Sequence, residues 1–126
     1  MMSKMTIETE RGKDRFVPTD KVSGTVSWDL DQVPDSVELR LFWYTKGKGD
    51  RDVGIVAGVA LANPQAHDRR DFSFKLPEGP YSFSGRLISL IWALELIAKP
   101  SDLTERFDLT VSPTGEEVRI RDQTGN

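Results

Sequence analysis

The feature that most constrains this chain is the apolar run at residues 76–99, LPEGPYSFSGRLISLIWALELIAK. Turn-forming residues open it, and the remainder is almost uninterruptedly hydrophobic until Pro100. A helix here would be apolar nearly all the way round, which a domain of this size could hardly cover. Its β-branched isoleucines favour a pleated surface, so the run predicts a long central strand. With a period of two, one face of that strand is wholly apolar and carries Ile88, Leu90, Trp92, Leu94 and Leu96.

The composition fits one domain with a single core. Of the 126 residues, 37% are hydrophobic and 29% are charged. We therefore expect one sandwich over residues 1–115 and a polar tail over residues 116–126. Within that tail, Val118 and Ile120 can add an edge strand, and we expect the last residues to be disordered.

Charge and cysteine usage exclude several classes of function. A net charge of −3 argues against nucleic-acid binding through a basic face. The chain has no cysteine, which excludes disulfides, thiolate catalysis, zinc ribbons and iron–sulfur clusters. The N-terminal sequence lacks the apolar segment of a signal peptide, and no run approaches the ~20 apolar residues of a membrane span, so we expect a cytoplasmic protein.

The rest of the sequence consists of short alternating segments separated by turn residues. This pattern predicts an all-β, immunoglobulin-like antiparallel sandwich of seven to eight strands. Besides the central strand, we expect strands at residues 5–9, 21–30, 36–45, 53–62, 71–76 and 107–111. Each tryptophan falls on the more apolar face of its strand, so Trp28, Trp43 and Trp92 are predicted core residues.

Two aromatic residues do not fit the alternation. Phe42 and Tyr44 fall on the solvent face of the strand whose other face carries Val37, Leu39 and Leu41. Either a loop or a long side chain covers them, or they form a contact surface for a partner. Together with Tyr81, they are the candidate interaction surface.

Ligand-binding chemistry has little support in the sequence. The glycines of the loop KGKGDRD precede another strand rather than a helix, which disfavours a phosphate-binding loop. Asp50 and Asp52 lack the further oxygen ligands of a calcium loop. His67 lies among polar residues without a second ligand or a nucleophile, so we expect it to be exposed. We therefore predict no catalytic residue, no metal and no cofactor.

Two motifs resemble those of arrestin-type domains. Phe16, Pro18, Asp20, Val22, Gly24 and Val26 match the family's signature "aromatic, x, Pro-Gly-Asp, x, Val, x, Gly, x, Val". The second motif, a "Leu-Pro, x, x, Pro, x, Ser-aromatic, x, Gly" turn before a long strand, is carried by Leu76, Pro77, Pro80, Ser82, Phe83 and Gly85, and Trp92 lies in that strand. The resemblance covers residues 5–111. Thr19 stands where the family has glycine, which suggests a different turn.

The resemblance implies a non-catalytic protein-interaction module, an adaptor or scaffold, since arrestins and bacterial sporulation-control proteins are not enzymes. Such relatives pair two sandwiches, whereas this chain has room for one. Its partner is unknown, and we expect it to self-associate as a homodimer through an edge strand. The alternative is a small-ligand or carbohydrate-binding domain that uses Phe42, Tyr44 and Tyr81. An enzymatic reading rests only on acidic pairs such as Asp29 with Asp31.

Overall fold

The chain folds into two β-sheets that share one apolar core. The computed structural model describes residues 3–47, 51–85 and 87–114, and the backbone of residues 118–119. Seven strands have six or more residues: Lys4–Thr9 (β1), Lys21–Asp29 (β3), Ser36–Gly47 (β4), Val53–Ala60 (β5), His67–Lys75 (β6), Ile88–Lys99 (β8) and Leu103–Val111 (β9). Three more have two residues each: Arg15–Phe16 (β2), Phe83–Ser84 (β7) and Val118–Arg119 (β10). The predicted all-β sandwich is confirmed.

The small sheet has the order β1-β3-β6, and the large sheet is built around β8. On one side of β8 lies β4, followed by β5 at the sheet edge; on the other side lie β9 and β7. All pairs between the long strands are antiparallel. The short strands β2 and β10 instead pair in parallel with β9 and β7. In the described chain, the only helical segment is a single 3-10 turn, Glu10–Gly12, and no helix there could cross a membrane.

The central strand β8 contributes one face to the core, as its alternation predicts. Leu90, Trp92, Leu94 and Leu96 are buried in the core cluster. Ile88, at the start of the strand, is more exposed than predicted. On the facing sheet, β3 contributes Val22, Val26 and Trp28, so that residues from both sheets interdigitate.

Two details differ from the sequence predictions. Strand β6 begins at His67, four residues before the predicted start, because residues 67–70 continue the antiparallel pairing with β3 as far as Asp29. Trp43 is only half-buried, although it packs against the core. Its ring lies over Gly54 of the edge strand β5, where no further strand covers it. The residues predicted at the end of the tail, including Ile120, lie outside the described part of the chain.

The first motif forms a tight turn between β2 and β3. Asp20 donates its backbone N–H to the carbonyl of Val17 (3.1 Å), and its carboxylate accepts the N–H of Val17 (3.0 Å). Pro18 and Thr19 are the central residues, and Thr19 has φ of 70°. A positive φ at the second central position defines the type II turn that glycine favours. The expectation of a different turn at Thr19 is therefore wrong: threonine adopts the glycine conformation.

The remaining motif residues have clear structural roles. Gly24 pairs with Thr9 of β1, and a Cβ at this position would lie 2.0 Å from the carbonyl oxygen of Glu8, so only glycine allows the close approach. In the second motif, the carbonyl of Pro80 accepts the indole N–H of the fully buried Trp92 at 2.8 Å. Gly85 follows β7 and is half-buried. This turn therefore fastens the central strand to the loop that precedes it.

Candidate functional site

The outer face of the large sheet, which points away from the core, carries the first two candidate residues. Phe42 and Tyr44 alternate along β4 with the core residue Leu41 and with Trp43, so both lie on this outer face. Their rings stack with a centroid distance of 5.9 Å. Phe42 is nevertheless only 7% exposed, and Tyr44 is half-buried. A side chain from another strand must therefore cover them.

That side chain is Arg106 of β9. Its guanidinium carbon lies 5.4 Å from the ring centroid of Phe42 and 5.0 Å from that of Tyr44, within cation–π range. Arg106 also donates a hydrogen bond to the carboxylate of Glu95 on β8 (3.2 Å). Burial acts against its charged form, but Glu95 and Tyr44 outweigh this effect and raise the pKa of Arg106. The guanidinium is therefore a charged cover fixed over two aromatic rings.

The free edge next to these rings is strand β5, with the sequence VGIVAGVA. Cross-strand pairing places Val53 opposite Tyr44 and Ile55 opposite Phe42, so both aliphatic residues extend the outer apolar face to the sheet edge. They are 61% and 62% exposed. We call the residues Phe42, Tyr44, Val53 and Ile55 the outer patch.

A β-bulge interrupts this edge strand. Phe42 pairs with Ile55 while Leu41 pairs with Ala57, which leaves Val56 without a partner on β4. The bulge changes which side chains face outward: Val53 and Ile55 before it, and Gly58 and Ala60 after it. Val56 and Val59 are also exposed, so the strand presents four valine and isoleucine side chains to solvent and no charged one.

One edge of the small sheet, strand β6, has the opposite character. Strand β6 carries charges on both faces, including Asp68 and Arg70, which turn inward beside the core and form an ion pair at 2.9 Å. Arg70 also donates to the carbonyl of Ala62 (2.8 Å) and lies 6.0 Å from the ring of Trp28. The hydrogen bond from Arg70 lowers the pKa of Asp68 to about 2. Inward charges of this kind protect an edge from pairing with another chain, and β5 has none.

The third candidate residue, Tyr81, lies apart from the other two. It precedes β7 and is 44% exposed, whereas the ring contacts of Phe42 and Tyr44 are with each other and with Arg106. A cavity of about 340 Å³ lies elsewhere, where the turns after β3 and β8 meet. Val33, Pro34, Lys99, Pro100 and Leu103 are among its lining residues. The structure therefore does not bring the three aromatic rings together around one pocket.

The polar residues considered as ligands are at the surface. His67 is exposed and its Nδ1 contacts the carboxylate of Asp29. The backbone N–H of Asp52 donates to the hydroxyl of Thr45 (2.8 Å), and Asp50 lies outside the described residues. In the described part of the chain, no three His, Asp or Glu side chains group together as metal ligands.

Comparisons with known proteins concern the fold. No protein-family model matches the sequence, and no curated protein matches it. Among solved structures, the sporulation control protein Spo0M from Bacillus subtilis is similar over 87% of this chain, with a TM-score of 0.60 and 18% sequence identity. The chain has an arrestin-like fold.

This likeness shows the architecture of the sandwich alone, because the identity is low. This chain spans about half of the Spo0M chain, 49% of its length. A β-glucosidase from Listeria innocua is also similar over 92% of this chain, but over only 16% of its own length. Its TM-score is 0.48 and its identity is 11%, so this similarity says nothing about function.

The sequence alone does not predict that β5 is an exposed edge of the arrestin-like sandwich. Its alanines and glycines are compatible with a bulky neighbour over a thin strand or with the close approach of another sheet. One signal was available: the segment at residues 53–62 has no charged residue, in contrast to residues 67–75, which have six counting the histidine. Strand order was needed to turn that contrast into a prediction, because a charge-free segment is equally typical of a buried strand.

Proposed function

We propose that this chain is a non-catalytic protein-interaction module, an adaptor or scaffold, that binds its partner through β5 and the outer patch. The observation that carries the proposal is a charge-free edge strand whose Val53 and Ile55 are 61% and 62% exposed. Exposed edges of this kind are sites at which another strand adds to a sheet, with backbone hydrogen bonds supplying affinity.

Two features beside the edge strand support this role. An added strand would lie beside the exposed Val53 and Ile55, and behind them the apolar face continues through the half-buried Tyr44 to Phe42, which is 7% exposed. Arg106 covers those rings and remains partly exposed, which places a fixed positive charge at the border of the patch. A partner could contact aliphatic side chains and a cation at once, a combination that is common at protein interfaces.

The experiment is capture of partners from native lysate by the tagged protein, comparing wild type with Ile55→Lys. Lysine on an edge strand opposes strand addition, and Ile55 is exposed enough for the change to leave the fold intact. Val33→Lys is the matched control, because Val33 is a similarly exposed aliphatic residue (61%) outside the outer patch.

We expect a specific partner to be retained by wild type and by Val33→Lys and to be lost by Ile55→Lys. Circular dichroism and melting temperature establish that all three proteins are folded. Retention of the same partner by Ile55→Lys would refute the role of this edge. Capture of nothing specific by wild type would refute the interaction module itself.

The alternative function is binding of a small ligand. The observation that favours it is the cavity of about 340 Å³, which lies near the lower end of the roughly 300–1,000 Å³ typical of ligand pockets. For this function, Val33→Lys is the test variant and Ile55→Lys is the control, because Val33 lines the cavity. Ligand screening by thermal shift should find a compound that raises the melting temperature of wild type and of Ile55→Lys but not that of Val33→Lys. A carbohydrate site built on Phe42, Tyr44 and Tyr81 would require Arg106 to move off the first two rings.

A further inference from the structure

We propose that the partner of β5 is β5 of a second copy of this chain, paired antiparallel about the middle of the strand so that two large sheets become one. This inference rests on the proposed function and names the partner and the register. It follows from the position of the β-bulge, from the side-chain sizes along β5 and from the distribution of charge along the edge strands β5 and β6.

The bulge makes the strand self-complementary. In an antiparallel pair, residues directly opposite each other point to the same face of the sheet. A regular strand of eight residues paired about its midpoint would oppose its first and last residues, which point to opposite faces. In β5 the bulge at Val56 corrects this mismatch, because Val53 and Ala60 both point outward. The outer face of one copy therefore continues onto the outer face of the other.

Side-chain size fits the same register. Every pair places one larger aliphatic residue opposite a glycine or an alanine, so no two bulky side chains are directly opposed. From the ends of the strand to the two-fold axis, the pairs are Val53 with Ala60, Gly54 with Val59, Ile55 with Gly58, and Val56 with Ala57 of the second copy. A symmetric dimer requires a surface that complements itself in this way.

Charge favours a second copy at β5 and opposes one at β6. The register continues with Asp52 opposite Leu61, so the first charged residue beyond the strand meets an apolar one. The same midpoint pairing of β6 would place Asp71 opposite Asp71 of the second copy. Like charges directly opposite are destabilising, so of these two edges only β5 accepts its own copy.

The test combines the mass of the purified protein in solution with register-specific cross-linking. Light scattering after size exclusion should give a mass that rises with concentration from 14.2 kDa toward twice that value for wild type and for Val33→Lys, and that stays at 14.2 kDa for Ile55→Lys. Because the natural chain has no cysteine, only introduced thiols react. We would mix Val53→Cys with Ala60→Cys under mild oxidation.

The two thiols should lie opposite each other across the interface, about 5 Å apart at Cβ. In either variant alone, the two identical thiols would be about 20 Å apart, given roughly 3.3 Å per residue. We therefore expect the mixture to form a covalent dimer at least ten times faster than either variant alone, or than Val33→Cys mixed with Ala60→Cys.

A mass of 14.2 kDa for wild type up to millimolar concentration would overturn the proposal. A dimer that cross-links no faster in the Val53/Ala60 mixture than in the controls, or that persists in Ile55→Lys, would also overturn it. These measurements use purified protein alone. A monomer that still captures another protein through Ile55 would therefore refute self-pairing and leave the proposed function standing.

Discussion

Replacement of Thr19 by glycine should stabilise the protein. Thr19 is exposed and has φ of 70°, a left-handed conformation that costs a residue with a Cβ about 1–2 kcal/mol. Glycine removes that cost but loses about 0.5–1 kcal/mol through the greater freedom of the unfolded chain. The backbone hydrogen bonds of the turn, Asp20 N–H to Val17 and Thr19 N–H to Pro77, do not involve the side chain. The net gain should be about 0.5–1 kcal/mol.

The measurement is urea unfolding together with thermal melting. For a domain of this length we expect Thr19→Gly to melt about 2–5 °C higher. Thr19→Ala keeps the Cβ and should change the stability by less than about 0.5 kcal/mol. Thr104→Gly, at an exposed position of β9, should lower it by about 0.5–1 kcal/mol. A midpoint of Thr19→Gly at or below that of wild type would refute the strain argument.

Three further predictions concern stability and can be checked by urea unfolding. Gly24→Ala should cost about 3 kcal/mol, because the new Cβ would overlap the carbonyl oxygen of Glu8; an unchanged midpoint would contradict the close strand approach. Trp92→Ala should cost about 3–5 kcal/mol through the lost burial of the indole and the cavity left behind, and a loss below 2 kcal/mol would contradict the full burial of this side chain. Arg70 lowers the pKa of Asp68 from 3.8 to about 2. The ionised Asp68 therefore stabilises the fold fully above pH 4, and this stabilisation is lost as the pH falls through 2. The Asp68→Asn variant should lack this acid-dependent loss of stability.

The sequence predicted the core well because one physical signal dominates it. Burial of alternate residues on a strand leaves a period of two in the sequence, and Leu90, Trp92, Leu94 and Leu96 lie on the core face that this period assigns to them. The turns were predicted from proline, glycine and aspartate. Gly24 lies where β1 and β3 approach closely, as the motif requires. Such local signals do not depend on strand order.

The features that were missed depend on neighbours that are distant in sequence. Cover for Phe42 comes from Arg106, which is 64 positions along the chain and two strands away across β8. From the sequence, Phe42 and Tyr44 were either covered by another side chain or part of a contact surface. The structure shows the covering side chain. A contact surface is still compatible with it, because Val53 and Ile55 extend the outer patch to the sheet edge. The early start of β6 has a similar cause: pairing with β3 holds the charged residues 67–70 in a strand that their composition alone did not predict.

Packing within one copy explains only part of the composition of β5. Toward the core, Gly54 must be small, because a Cβ there would lie 2.2 Å from the ring of Trp43. Toward the outside, Gly58 lies beside the ion pair of Arg40 with Glu38, where a Cβ would approach the flexible Glu38 carboxylate to 3.3 Å and require a shift of only a few tenths of an ångström. Packing therefore accounts for Gly54, but it does not account for exposed valine and isoleucine where lysine would protect the edge. Packing within one copy leaves those aliphatic residues unexplained, whereas strand addition at β5 gives them a contact.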